Sequence, residues 1–342
     1  MFCKKRVFPL LLAFFGLYAG LAPAALFAQR QRGLTITLAS SLPRNSPWGK
    51  TLDRIAYEWG QATNGEVSLR IIHQYPGSEG EYLMKLRQDK IQAAILTSVA
   101  FTSVAPEIMA LSIPFLIRNN AELDTVLSQV RQELNARIEQ EGYISLAWVK
   151  AGWIKVFSRS PVYTPADLRK LKLGTSPDEE ELMDAFRTMG FQMVRVTYSD
   201  IAQRLNSGMI DAVYMNPVAV SSFRLHTIVR NMCTINLAPF MGGILMSRNA
   251  WNRIPQAYRA RLMEITMQAG REFESSFQAS EEAAVTQMTR EGLRLCEVTP
   301  AQEQLWYQEI YQHIPDLVDR NVFHRGMYNR IQGILRNYRG EN

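Results

Sequence analysis

A chain of 342 residues, 47% hydrophobic and 20% charged, is long enough for two globular domains. Its formal net charge of +6 is a mild excess with no Lys/Arg stripe, which argues against nucleic acid as a partner. Three cysteines are too few for a disulfide framework, and the four histidines are scattered, so neither a stapled scaffold nor a metal centre is expected.

Lys4, Lys5 and Arg6 form a basic start to the chain, followed by an almost charge-free run from Val7 to Phe27 and a small residue, Ala28, at which to cut. Residues 1–28 therefore read as an export signal. The run approaches the roughly 18 residues that span a bilayer, but Pro9, Gly16, Gly20 and Pro23 interrupt it, which suits cleavage near Ala28 better than an uncleaved anchor. Cys3 precedes the run, too early for lipid attachment. Loss of this segment lowers the net charge to +3 and leaves Cys233 and Cys296, read as two buried thiols in preference to one bridge.

Leu34 to Ala39 alternates with period two and reads as a strand. Pro47 opens a helix with Leu52, Ile55 and Trp59 at helical spacing, which Thr63-Asn64-Gly65 ends. A strand over Val67–Ile72, a helix over Tyr82–Lys90 and a strand over Ile91–Thr97 follow. This alternation belongs to a mostly parallel sheet covered by helices.

The grammar then restarts. Tyr143–Val149 and Ile154–Phe157 read as strands, Lys170–Gly174 as a strand running into a helix over Pro177–Met189. Met193–Val196 is a strand, Ser199–Ser207 a helix and Ile210–Met215 a strand. From Asn249, the apolar positions Ile254, Tyr258, Leu262, Ile265, Ala269, Phe273 and Phe277 mark one face of a long helix reaching towards Arg290.

No catalytic or cofactor signature is present: no His-Glu-x-x-His, no G-x-S-x-G elbow, no P-loop, and no G-x-G-x-x-G after the first strand. The acidic run Asp178–Glu181 is read as a helix start. Ser176 caps it, Pro177 takes the first turn, and Glu179 completes Ser-x-x-Glu, with carboxylates complementing the helix dipole.

Several segments, in order over about Leu34 to Leu295, resemble the substrate-binding proteins of TRAP transporters (the DctP family). They are Thr63-Asn64-Gly65 with Pro76-Gly77 and the helix at Glu81–Arg87; Ser112-Ile113-Pro114-Phe115-Leu116; and Thr164-Pro165-Ala166-Asp167-Leu168 with Leu171-Lys172-Leu173. Leu205 to Ala212 with Asn216-Pro217, and Trp251 to Pro255 opening the long helix, complete the set. The resemblance implies an α/β, two-lobed periplasmic-binding-protein-like fold, each lobe a mixed, mostly parallel sheet flanked by helices, with a long hinge-spanning helix. It places 33–150 in the first lobe, with 240–285 returning to it, and 151–239 in the second, with 286–342 packed on it. The implied activity is non-enzymatic: closure of a cleft on one small ligand in the periplasm. The implied partners are the membrane subunits of a TRAP permease, and a tetratricopeptide-repeat lipoprotein in some members. No cofactor or metal is expected.

One departure bears on the ligand. The family's carboxylate-binding arginine, two residues after the lysine at Lys172, falls on Gly174. A second usual arginine falls on Gly80, beside Glu79, and a third on Ile154 or Lys155. Bidentate arginine is what fixes a carboxylate's orientation. What remains near the expected cleft is aromatic and apolar: Phe101, Trp148, Trp153, Tyr198, Tyr214, Met215 and Phe240. Ser40, Glu79, Thr97, Gly174, Thr175 and Asn216 complete the expected ligand-binding set. Such a cleft suits a hydrophobic or weakly polar ligand. The alternatives are a small carboxylate held by Lys172 or Lys155, an enzyme on the same frame, and a recruitment protein with a vestigial cleft.

Overall fold

The computed structural model describes residues 33–176 and 180–341. The expected export signal and the expected helix start at Pro177, Asp178 and Glu179 lie outside the described residues.

β1 (Leu34–Ala39) is followed by α1 (Pro47–Ala62), β2 (Val67–Ile72), α2 (Glu79–Arg87) and β3 (Ala93–Thr97). The start of α1 is fixed by the Ser46 hydroxyl, which accepts the Gly49 N–H at 3.1 Å, and by proline at its first position. Its end is tied to β2: Asn64 and Gly65 turn left-handed (φ 51° and 81°), and the Thr63 hydroxyl accepts the Val67 N–H at 3.1 Å. β1 pairs in parallel with both β2 and β3. The register of Leu34 on Val67 puts Ile36 and Leu38 against Leu52, Ile55 and Trp59 of α1, all buried.

The short helix α3 (Ser98–Thr102), a 3₁₀ turn over Pro106–Ser112 and α4 (Asn120–Gln140) lead to β4 (Tyr143–Ser158). Two strands were expected over β4; one is found. Its pairing with the antiparallel β9 (Ala238–Ser247) is kept across two register shifts, the second between Lys150 and Trp153. Gly152 sits in that second shift with φ +79°. A Cβ there would meet Glu281 Oε2 at 2.7 Å and Phe277 Cε1 at 2.8 Å, so both backbone and space require glycine.

β4 and β9 join two groups of strands. The first runs β2, β1, β3, β9, β4, with β9 antiparallel to β3. In the second, the later half of β4 pairs antiparallel with β7 (Ala212–Met215), which continues in parallel to β5 (Lys172–Thr175) and β6 (Gln192–Arg195). On its other side β4 carries β8 (Asn231–Cys233), and β8 carries the parallel β10 (Arg294–Cys296). Cys233 and Cys296 lie opposite each other as free, buried thiols, and burial pushes the Cys233 thiol up to about 11.

Helices α5 (Pro165–Leu168), α6 (Glu180–Thr188), α7 (Ile201–Asn206) and α8 (Pro217–Ser222) belong to the second group, and α9 (Arg248–Arg253) precedes α10 (Gln256–Arg290). The Thr164-Pro-Ala-Asp167 segment is a capping box at α5. α10 has 35 residues, about 52 Å at the usual rise. It packs on α1, β4 and α8, and the Trp59 indole donates to Thr266 Oγ1 at 3.1 Å.

The chain closes with α11 (Pro300–Tyr311), α12 (Ile314–Asp319) and α13 (Arg325–Arg339). Residues 286–342 were expected to pack on the second lobe, and the three helices in fact touch elements of both groups of strands. α11 lies against α5, but α13 packs on α4 and the Pro106–Ser112 turn, where it buries Met327, Ile331 and Leu335. The Phe115 backbone marks the junction. It holds φ 63°, its N–H donates to Leu237 O at 2.9 Å, and its carbonyl accepts the Tyr311 hydroxyl at 2.9 Å. Among the described residues no helix is long and apolar enough to cross a membrane.

Candidate ligand cleft

A cavity of about 210 Å³ opens at the carboxyl ends of β3, β5 and β7, where β4 and β9 cross between the two groups of strands. Ligand sites of α/β sheets form at such strand ends.

On the α10 side its wall is aromatic. Trp48, from the start of α1, stacks on Phe273 with centroids 4.2 Å apart and planes at 23°. Phe273 in turn packs on Phe277 at 5.1 Å, and Phe240 and Val218 join them. On the other side lie Ile154 and Val156 of β4, Leu173 of β5, Phe186 of α6, and Trp306 and Ile310 of α11.

The polar groups sit at the strand ends. Both oxygens of the Glu79 carboxylate lie 3.1 Å from the Thr97 N–H, and Oε2 accepts the Thr97 hydroxyl at 2.7 Å. This carboxylate is buried where α3 begins. The Tyr214 and Thr175 hydroxyls are 2.6 Å apart. Asn216 caps α8: its Oδ1 accepts the Ala219 N–H at 2.7 Å, and its Nδ2 donates to Ala151 O at 3.2 Å. Tyr198 lies nearly parallel to Phe223, centroids 6.4 Å apart.

Among the described lining residues there is no lysine, arginine or histidine, and Glu79 is the one charged group. The two lysines named as substitutes for arginine do not line the cavity. Burial lowers the Lys155 pKa, and its ammonium donates to Thr234 O at 2.7 Å and Asn236 Oδ1 at 2.8 Å. The Lys172 ammonium donates to Gly208 O and faces Asp211 at 3.9 Å.

Of the residues singled out in the sequence, Glu79, Thr97, Tyr198, Tyr214, Met215, Asn216 and Phe240 line this cavity. The others do not. Ser40 is buried in the turn after β1, its hydroxyl accepting the Leu42 N–H at 3.2 Å. Phe101 packs on Trp148 at 4.7 Å inside the first core, because α4 offers the indole N–H groups partners there. Trp148 Nε1 donates to Asn135 Oδ1 at 2.7 Å and Trp153 Nε1 to Asn120 Oδ1 at 3.2 Å. Thr175 is not itself a lining residue, and its hydroxyl lies against that of Tyr214, which is. Gly174 faces away from the lining: a Cβ there would meet Ile210 Cδ1 at 2.8 Å and Val196 Cγ1 at 2.9 Å. Trp48, Phe273 and Phe277 were missed. The i,i+4 aromatic pair on the long helix was a usable signal, read only as core.

The family description "Bacterial extracellular solute-binding protein, family 7" (DctP) matches residues 38–320. A solute-binding protein of Verminephrobacter eiseniae is 24% identical over 241 residues, 69% of this chain and 71% of that protein. Two TRAP periplasmic solute-binding proteins of known structure share the fold. One, from Sulfurospirillum deleyianum with bound succinate, has a TM-score of 0.81 at 20% identity, covering 88% of this chain and 99% of that one. The other, from Ralstonia eutropha with bound (S)-2-acetolactate, has a TM-score of 0.82 at 18% identity, covering 89% and 99%. The chain belongs to family 7 of the bacterial extracellular solute-binding proteins, the DctP family.

Proposed function

We propose that this receptor captures a hydrophobic or weakly polar small molecule by closure of two lobes, and that it lacks the anion-binding chemistry of a carboxylate receptor. The lobes are 33–150 with 240–285, and 151–239, with the C-terminal helices laid across both. Export is by the segment 1–28, cleaved near Ala28. The observation that carries the ligand class is the lining itself: aromatic and aliphatic walls, hydroxyls and one amide at the strand ends, and no cation among the described residues. Burying a carboxylate there would leave its charge unpaired beside Glu79, a cost of several kcal/mol or more.

The reading departs from the two solved relatives, whose bound molecules are carboxylates. A carboxylate ligand here would need a cation, and Lys155 is already engaged with Thr234 and Asn236. Mass spectrometry of an organic extract of the purified protein tests the reading. A neutral, largely hydrocarbon compound in stoichiometric amount is expected; a dicarboxylate or sugar acid in its place contradicts it.

A further inference from the structure

The cavity reaches both faces of the second group of strands. On β4, Phe157 belongs to the core on the α10 face and Lys155 interacts with Glu281 of α10. Ile154 and Val156 alternate with them and point to the opposite face. The register of Val156 on Tyr214 and of Leu173 on Met193 puts Leu173 and Met193 on that same rear face. α11 covers it, with Trp306 and Ile310 buried, and the Trp306 indole anchored on Tyr163 O at 2.9 Å.

The rear compartment is therefore walled by hydrocarbon and aromatic carbon, while the hydroxyls, Asn216 and Glu79 sit at the strand ends where it meets the front. A compact polar metabolite would fill only the front. Water in the rear would find few of the two to four polar partners that hold buried water in place.

Resting on the reading of the cleft given above, we propose that the ligand is an amphiphile. Its small uncharged head lies at the strand ends, and its medium-length hydrocarbon tail runs under α11, making the C-terminal helix part of the binding site. Trp306 is the wall residue the tail touches.

The test titrates the purified full-length exported protein with butan-1-ol, hexan-1-ol, octan-1-ol and decan-1-ol by calorimetry, then with 10-bromodecan-1-ol while recording tryptophan fluorescence. Affinity is expected to rise about fourfold per added methylene. The bromine is expected to quench emission in the unmodified protein and in Trp251→Phe, whose residue does not line the cavity, and to lose that quenching in Trp306→Phe. Ile310→Phe, which narrows the chamber from the same helix, is expected to flatten the series beyond hexan-1-ol and serves if Trp306→Phe does not fold. A flat series, or quenching retained in Trp306→Phe, overturns the proposal while a weakly polar front cleft still stands. Failure of every alkanol, with succinate bound tightly, overturns both.

Discussion

Arg339 of α13 forks onto Glu122 of α4, with Nε 2.9 Å from Oε1 and Nη2 2.8 Å from Oε2, and Nη2 also reaches Leu116 O at 2.9 Å. The two side chains are 15% and 5% exposed, so this is a nearly buried ion pair joining the last helix to α4.

Truncating one partner of such a pair strands the other charge. Arg339→Ala is expected to destabilise the protein by about 3 kcal/mol in urea unfolding, and a loss below 1 kcal/mol would show that α13 is held by packing alone. The pair also sets an acid limit. Burial on its own would raise the Glu122 carboxyl, but hydrogen bonds from Arg339 and the Arg118 N–H hold it below its ordinary 4.5. A depressed carboxyl contributes stability that is complete above the ordinary value and lost as pH falls through the folded one. Below pH 4.5 the unmodified protein should lose stability more steeply than Arg339→Ala.

Glu281 has the opposite sign. Burial, outweighing Lys155 and the Trp153 N–H, raises its carboxyl above 4.5, and its Oε1 is buried with no hydrogen-bond partner among the described residues. A raised carboxyl costs stability where it is ionised, and that cost is relieved as pH falls through the folded pKa towards 4.5. Glu281→Gln should melt higher than the unmodified protein at pH 7, with the difference shrinking as pH approaches 5. A variant that melts lower at pH 7 would show that Lys155 needs the charge.

The space around position 174 does not admit an arginine without rearrangement. Ile210 and Val196 already crowd the space at that carbon, under 3 Å from a Cβ built there. Gly174→Arg is expected to lower the melting temperature and to leave succinate unbound in calorimetry. Unchanged melting with succinate binding would mean that the slot is open.

The frame of the fold was legible because periodicity and capping act locally. Ser46-Pro47, Asn64-Gly65 and the Thr164–Asp167 box place their elements without knowledge of the rest. The union of two expected strands into β4 was not legible, because the Gly152 bulge is stabilised by β9 and α10, far away in sequence. The site divided on the same line. Tyr198, Tyr214 and Asn216 lie at strand ends, which sequence can locate. Trp148 and Trp153 face α4 because Asn135 and Asn120 are there to accept their N–H groups, a tertiary fact that spacing does not carry. The C-terminal wall at Trp306 was invisible for the same reason.

Calorimetric titration of the purified protein with succinate and (S)-2-acetolactate tests the proposed ligand class, which follows from a lining without a cation among the described residues. No heat of binding is expected up to millimolar ligand; micromolar affinity for either acid would show that the cleft holds an anion.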